Sequence, residues 1–379
     1  MLDFKRFMNV PGTFEAEGFQ SATPGVKAVF LSGPGYQEKE TRIFAWHALP
    51  EGASKDAKVP GIVLVHGGGG TAYAPWVKKW TDRGFAAIAI DMFGGVPEKD
   101  GSYKNFSPES PRHEFSGPGH AGQFENVEEA PENQWPYHAV AAIMTANSFL
   151  GSLEEVDAGK IGLTGISWGG FAVSLAAGYD PRFKFVVPVY GCGGFETLAL
   201  VPGDTSVKNL KKWVSLWDPN NTLAEARMPI LWINGTSDAA FDVRNWNNSA
   251  KLAPDSYRAL RVNMPHGQHD GEAPAEILPF AKAVLSGSEF PGFKKIKLNE
   301  ETEQLGAKWS ADGKIKDAFI VWTRASGCWN DCFFRTSSAK LNRENGTVIG
   351  DLPANWTAAY LSLEGEDGCV YTSEIFFNE

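Results

Sequence analysis

The chain of 379 residues predicts an α/β protein, a doubly wound and mostly parallel sheet followed by a small all-β sandwich. Three observations carry that reading. Continuous apolar runs such as Gly61-Ile-Val-Leu-Val65, Phe85-Ala-Ala-Ile-Ala-Ile-Asp91 and Pro229-Ile-Leu-Trp-Ile233 suit strands buried on both faces of a parallel sheet. Stretches with helical spacing separate them, and such alternation implies crossover connections with ligands at the strands' carboxyl ends. After Ser286 the period shortens, and Asp312-Gly313, Asn345-Gly346 and Asp367-Gly368 mark turns between short strands.

Residues 1–57 read as lead-in strands of the first domain, with Val26–Leu31 and Thr41–Trp46 split by Gly33-Pro-Gly-Tyr36. Residues 58–287 form the main α/β domain. Its first strand, Gly61–Val65, runs into His66-Gly-Gly-Gly-Gly70, and a helix over Ala74–Arg83 is closed by Gly84. Between Met92 and Trp135 the pattern dissolves into Gly, Pro, Ser and charge, and a loop of that length shapes a site or is mobile. Its Ser116–Gly122 stretch has no strand before it and is not a phosphate loop. Ala139, Ile143, Ala146 and Leu150 restore helical spacing. The run starting at Lys160 reads as a strand, and Phe183–Val189 and Tyr257–Asn263 as later ones, with a short helix over Asn209–Trp217 and a closing helix over Ala273–Leu285. Residues 288–379 form the accessory sandwich, with strands over Ala318–Arg324, Cys332–Ser337, Ala358–Leu363 and Val370–Phe377.

A net charge of −10 without a long Lys/Arg cluster argues against nucleic acid or an anionic membrane surface as the main partner. No apolar run reaches the roughly 18 residues of a spanning helix, and Met1–Asn9 lacks the apolar core of a signal peptide. The expected protein is therefore soluble, cytoplasmic as it stands or secreted or periplasmic if an export signal has been removed. Cys192 stands apart from Cys328, Cys332 and Cys369, so four cysteines make no disulfide scaffold, although one C-terminal pair could be bridged. No metal site or cofactor is expected: the C-terminal cysteines have no histidine near them, and His266, His269 and Asp270 lack matching further ligands.

The chemistry centres on Gly165-Ile-Ser167-Trp-Gly169, where an apolar strand stops and a small-residue helix begins. Strand, sharp turn and helix are the context of a nucleophile elbow, which lifts a strained serine above the sheet. A serine hydroxyl is nearly inert at neutral pH, so Ser167 needs a histidine to take its proton and a carboxylate to orient that histidine. Asp238, in Asn234-Gly-Thr-Ser-Asp238, follows the strand ending at Ile233, with Asp242 as the spare candidate. Met264-Pro-His266-Gly-Gln-His269 offers two bases. His266 is preferred for its lead before the closing helix, and His269 is the alternative. For the oxyanion of a tetrahedral intermediate, the backbone N–H groups of Gly68, with Gly67 and Gly69 close behind, and of Trp168 are the donors. His66 reads as a loop-packing residue.

At this point the chain resembles the α/β-hydrolase superfamily, whose landmarks fall in order across residues 40–285. Thr41-Arg-Ile-Phe-Ala-Trp-His-Ala-Leu-Pro50, Val65-His-Gly-Gly-Gly-Gly-Thr71 with Trp76, Trp217-Asp-Pro219, Trp232-Ile-Asn-Gly-Thr236 and Met264-Pro-His266 resemble the acetylxylan esterase, dienelactone hydrolase and prolyl oligopeptidase-like group. The resemblance implies nucleophile, acid and base roles for Ser167, Asp238 and His266. It implies a serine hydrolase cleaving a carboxylic ester through an acyl-enzyme. The expected substrate is a small-molecule or oligosaccharide ester, such as an acetylated plant polysaccharide fragment, with a generic carboxylesterase as the alternative. A peptidase of the prolyl oligopeptidase type carries a large propeller ahead of its hydrolase domain, which residues 1–57 cannot build. Dienelactone hydrolases use a cysteine where this elbow has Ser167. An inactive glycan-binding scaffold is the reading outside enzymes, and the intact set of three residues speaks against it. Trp76, Trp80, Trp135, Trp168, Trp213, Trp217 and Trp246 offer aromatic faces for sugars or aryl groups, with two or three expected in the pocket. Trp309, Trp322, Trp329 and Trp356 suit either a glycan platform or sheet packing in the sandwich, and packing is the preferred reading.

Overall fold

A computed structural model of the chain describes residues 2–105, 107, 110–120, 122–310, 315–327, 329 and 332–378. The main sheet has nine strands: β1 (Thr13–Phe14), β2 (Lys27–Ser32), β3 (Arg42–Ala48), β4 (Val59–Val65), β5 (Ala86–Ile90), β6 (Val156–Ile166), β7 (Val186–Val189), β8 (Ile230–Gly235) and β9 (Ser256–Arg261). They lie in the order β1-β2-β3-β5-β4-β6-β7-β8-β9. The lead-in strands β1 to β3 pair antiparallel, and β3 meets β5 antiparallel. From β5 to β9 every pairing is parallel.

Helices α1 (Ala74–Thr81), α2 (Trp135–Ser152), α3 (Trp168–Ala177), α4 (Val207–Trp217), α5 (Val243–Leu252), α6 (Gln268–Glu272) and α7 (Ile277–Ser286) complete this part of the chain. Strands β5, β7 and β8 are buried along their whole length, as a sheet covered on both faces requires. The strand before the elbow starts earlier than the apolar run suggests, because Val156 already pairs with Val59, and residues 157–160 bulge out before pairing resumes at Ile161. The closing helix expected over Ala273–Leu285 begins later, as α7 at Ile277, and a separate short helix, α6, precedes it. Pro274 lies between α6 and α7 and has no N–H with which to continue the hydrogen bonding of α6.

After α7 all strands are antiparallel. β10 (Gly292–Asn299), β11 (Gln304–Ser310), β12 (Ile315–Thr323), β13 (Arg335–Ser338), β14 (Lys340–Asn342), β15 (Thr347–Asp351), β16 (Ala358–Gly365), β17 (Val370–Thr372) and β18 (Phe376–Phe377) form two sheets. One has the order β10-β11-β15-β14, the other β13-β12-β16-β17 with β18 also on β16. A methyl group on Gly350 of β15 would stand 2.7 Å from Ile320 of β12, so the two sheets face each other closely. Leu305, Val348, Ile320, Leu361 and Leu363 are buried in this part of the chain. Two sequence expectations change here. Cys332–Ser337 is a strand only from Arg335, and Val370–Phe377 is two short strands rather than one. The turn at Asp312-Gly313 lies outside the described residues.

The C-terminal sheets dock on the β9 edge of the main sheet. The Tyr360 hydroxyl donates to the Leu260 carbonyl at 3.2 Å, and the Leu260 N–H to Thr372 Oγ1 at 3.2 Å. Buried Glu276 accepts from the Val370 N–H at 2.6 Å and from Arg261 Nη2 at 2.6 Å. An edge strand with unpaired backbone groups is a liability, and this docking covers it. Among the described residues no helix is long and apolar enough to cross a membrane.

Candidate active site

Ser167 sits between β6 and α3 at φ 58° and ψ −119°, a region costly for a residue with a side chain. Its N–H is held by the Val189 carbonyl at 2.8 Å. The turn closes only because its flanking residues have no Cβ. A methyl group on Gly165 would lie 2.4 Å from the Gly169 carbonyl oxygen, and one on Gly169 would lie 2.2 Å from that of Val65. The sequence thus holds the serine hydroxyl at the carboxyl end of β6.

Asp238 and His266 arrive there from the loops after β8 and β9. Asp238 is 1% exposed. Its Oδ1 accepts the N–H groups of Ala240 and Phe241 at 2.9 and 2.7 Å, which fixes the carboxylate and leaves Oδ2 free. That Oδ2 lies 2.6 Å from His266 Nδ1, and His266 Nε2 lies 2.9 Å from Ser167 Oγ. With its proton on Nδ1, the imidazole donates to Asp238 and accepts from the serine hydroxyl. The Tyr190 ring packs against it, centroid to centroid 4.6 Å, and the Tyr190 hydroxyl donates to the Pro265 carbonyl at 2.6 Å. Burial, then the fields of Asp270 and Asp238, push the Tyr190 phenol well above its ordinary range, so it stays neutral.

The two spare candidates have other work. Asp242 caps α5, accepting from the N–H groups of Arg244 and Asn245. His269 is exposed on α6, with its ring 4.5 Å from that of Tyr103.

The glycine loop after β4 stands over the nucleophile. The Gly70 N–H closes a turn onto the Gly67 carbonyl at 3.0 Å. A Cβ on Gly68 would stand 2.5 Å from Trp168 Cδ1, and one on Gly67 would stand 3.1 Å from Ser167 Cβ. Trp168 opens α3, where the first N–H groups of a helix have no partner within the helix. His66 anchors the loop. Its Nδ1 donates to the Gly67 carbonyl at 2.7 Å, and its Nε2 accepts the Met92 N–H at 3.0 Å. Asp91, at the end of β5, accepts from Thr71 Oγ1 and from the N–H groups of Phe93 and Gly95.

The cavity over Ser167 measures about 220 Å³ and is lined by the glycine loop, Tyr73, Asn105, Ile166, His266 and Gln268. None of the expected indoles lines it. Trp76, Trp80, Trp135, Trp213, Trp217 and Trp246 are buried, and Trp168 alone of that group is half-buried beside the nucleophile. Their size decides this: large rings are the main filler between the sheet and its helices. Trp322, Trp329 and Trp356 are likewise buried in the C-terminal sheets. None of the described residues in 288–379 lines the cavity. Cys192 is buried, and burial followed by the nearby Asp242, Asp218 and Asp238 pushes its thiol well above the ordinary value, so it is a poor nucleophile. Among the described residues no cluster of His, Cys, Asp or Glu could hold a metal ion. Cys328 lies outside the described residues. Tyr190, Tyr73, Asn105 and Gln268 escaped the sequence reading. Tyr190 was signalled only by its place just after a buried strand.

A nine-stranded, mostly parallel sheet with an elbow serine at the end of its interior strand β6 defines an α/β-hydrolase. Comparison with known families makes this specific. The pattern of the dienelactone hydrolase family matches residues 43–264, more than half of the chain, and the protein belongs to that family. A search of curated protein sequences gives no match. Among solved structures the chain is similar to an acetyl xylan esterase from Paenibacillus sp. R4, at 20% identity and a TM-score of 0.52, covering 75% of this chain and 90% of that one. It is also similar to acetyl xylan esterase 1 from Thermoanaerobacterium sp. JW/SL YS485, at 16% identity and a TM-score of 0.50, covering 70% and 87%. An acylaminoacyl peptidase from Pyrococcus horikoshii shares 17% identity with a TM-score of 0.51, covering 71% of this chain and 43% of that one. At these identities the likeness is one of fold.

Proposed function

We propose that the protein is a serine esterase that cleaves small acyl esters, acetyl groups on carbohydrate being the favoured substrate. The observation that carries this reading is the unbroken relay from Asp238 Oδ2 through His266 to Ser167 Oγ, at 2.6 and 2.9 Å. Ser167 Oγ attacks the ester carbonyl carbon while His266 Nε2 takes its proton. Buried Asp238 holds the ring orientation and stabilises the imidazolium that forms. The oxyanion is met by the Trp168 N–H and by N–H groups of the Gly67–Gly69 turn. His266 then returns the proton to the leaving alkoxide, the alcohol departs, and water hydrolyses the acyl-enzyme by the same relay.

The small cavity and its glycine lining support a short acyl group. Its described lining holds no Arg or Lys, which favours neutral esters over anionic ones. The activity for which two structural neighbours are named, acetyl xylan esterase, agrees with a sugar ester. The test is hydrolysis of p-nitrophenyl acetate and of acetylated xylo-oligosaccharide by wild type and Ser167→Ala. Activity of the wild type on both, with preference for the sugar ester, is expected. Equal or better activity on simple aryl esters alone points to a generic carboxylesterase, and no activity on either sinks the esterase reading.

A further inference from the structure

The relay leaves one buried carboxylate beside the site unused. Glu272 ends α6, the helix that begins just after His266, and its side chain is 1% exposed. A carboxylate taken out of water is stable only when its oxygens are satisfied by charge and hydrogen bonds. Here the donors come from three different segments. Lys79 Nζ of α1 lies 2.6 Å from Oε2, the Tyr103 hydroxyl 2.8 Å from Oε2 and 2.9 Å from Oε1, and Gln268 Nε2 2.8 Å from Oε1. Burial, then the charge of Glu272, raises the Tyr103 phenol far above its ordinary range, so it remains a donor.

Two further contacts carry this knot to the cavity. The Tyr103 ring lies 4.7 Å from the Tyr73 ring, and the Tyr73 hydroxyl donates to the Lys104 carbonyl at 2.8 Å. Tyr73, Asn105 and Gln268 all line the cavity over Ser167. We infer that Glu272 is a positioning residue that clamps the 103–105 segment and Gln268 against Tyr73, and so limits the acyl group the site accepts to a short one. The inference rests on the esterase reading and adds to it the residue that sets acyl length. Its oxygens are spent on the clamp, so Glu272 has no part in the proton relay.

The test compares kcat and KM for p-nitrophenyl acetate, butyrate and hexanoate in wild type, Glu272→Gln and Tyr103→Phe. Glu272→Gln removes the charge that holds Lys79. Tyr103→Phe keeps the ring against Tyr73 and removes only its hydroxyl bond, so it serves if the first variant folds poorly. Releasing the clamp is expected to raise the butyrate-to-acetate ratio of kcat/KM roughly tenfold, the worth of about one methylene in an apolar pocket, in both variants. A purely structural role lowers all three substrates together and leaves the ratio unmoved, which overturns the inference. A wild type inert toward every ester overturns the esterase reading itself and takes the clamp's role with it.

Discussion

Strands β5, β7 and β8 are buried along their whole length, whereas β10 and β14 alternate into water and β13 is exposed throughout. The first kind of strand can carry chemistry. Asp238 follows β8 of this kind, and Ser167 and the His266 loop follow β6 and β9, the parallel neighbours of β7 and β8, so all three are presented from hydrogen-bonded sheet. The C-terminal sheets that contain the second kind serve as a cover, docking on β9 through Tyr360 of β16 and Thr372 of β17, and on Glu276 through Val370. A substitution at the strand ends should therefore strike activity first, and one in the C-terminal sheets should strike stability first.

The largest effect is expected at the relay. Ser167→Ala and His266→Ala should each lower kcat on p-nitrophenyl acetate by on the order of 10⁴-fold or more, with the melting temperature close to wild type. His269→Ala should keep most of the activity, because that ring packs on Tyr103 rather than on the serine. Next comes Gly68→Ala. The added methyl meets Trp168 at 2.5 Å and displaces the turn proposed to meet the oxyanion, so a kcat loss on the order of a hundredfold is expected in steady-state assays.

The contrast sharpens at Leu361, fully buried in β16. Leu361→Ala should cost about 2–5 kcal/mol in a denaturant titration, while kcat per folded molecule stays near wild type. A collapse of kcat without loss of stability would mean that the C-terminal sheets do more than cover. The smallest effect concerns acid. All seven histidines precede residue 288, and burial lowers His47 and His138 from 6.5 to about 4. A depressed folded value means that these rings stabilise the fold while neutral. That stability is fully present above pH 6.5 and is lost as pH falls toward 4. Melting temperature should decline over that window, and His138→Gln should flatten part of the decline.

How much of this could be read in advance follows the same division. Ser167 was legible because strand, turn and helix are written in adjacent residues, and Asp238 because it follows an apolar strand directly. His266 and His269 were not separable by spacing. The turn into α6 separates them, leaving one ring on Ser167 and the other on Tyr103. Strands β10, β11, β14 and β15 were missed because Lys294, Lys295, Lys297 and Lys308 mask the apolar alternation in the first pair and the other two are short. The clamp at Glu272 joins residues from α1, the long loop and α6, and no local pattern signals a contact of that range. The tryptophans misled in the other direction. Their ring faces suit sugars, but the core between sheet and helices claimed them first.

The central claim is that Ser167 becomes acylated. The most direct measurement is mass spectrometry of peptides after reaction with an aryl phosphonofluoridate, a probe that stops at the covalent stage. One adduct per chain on the peptide carrying Ser167, absent in Ser167→Ala and slowed in His266→Ala, is the predicted result. An adduct elsewhere, or ester hydrolysis that continues in a protein carrying no adduct, would contradict it.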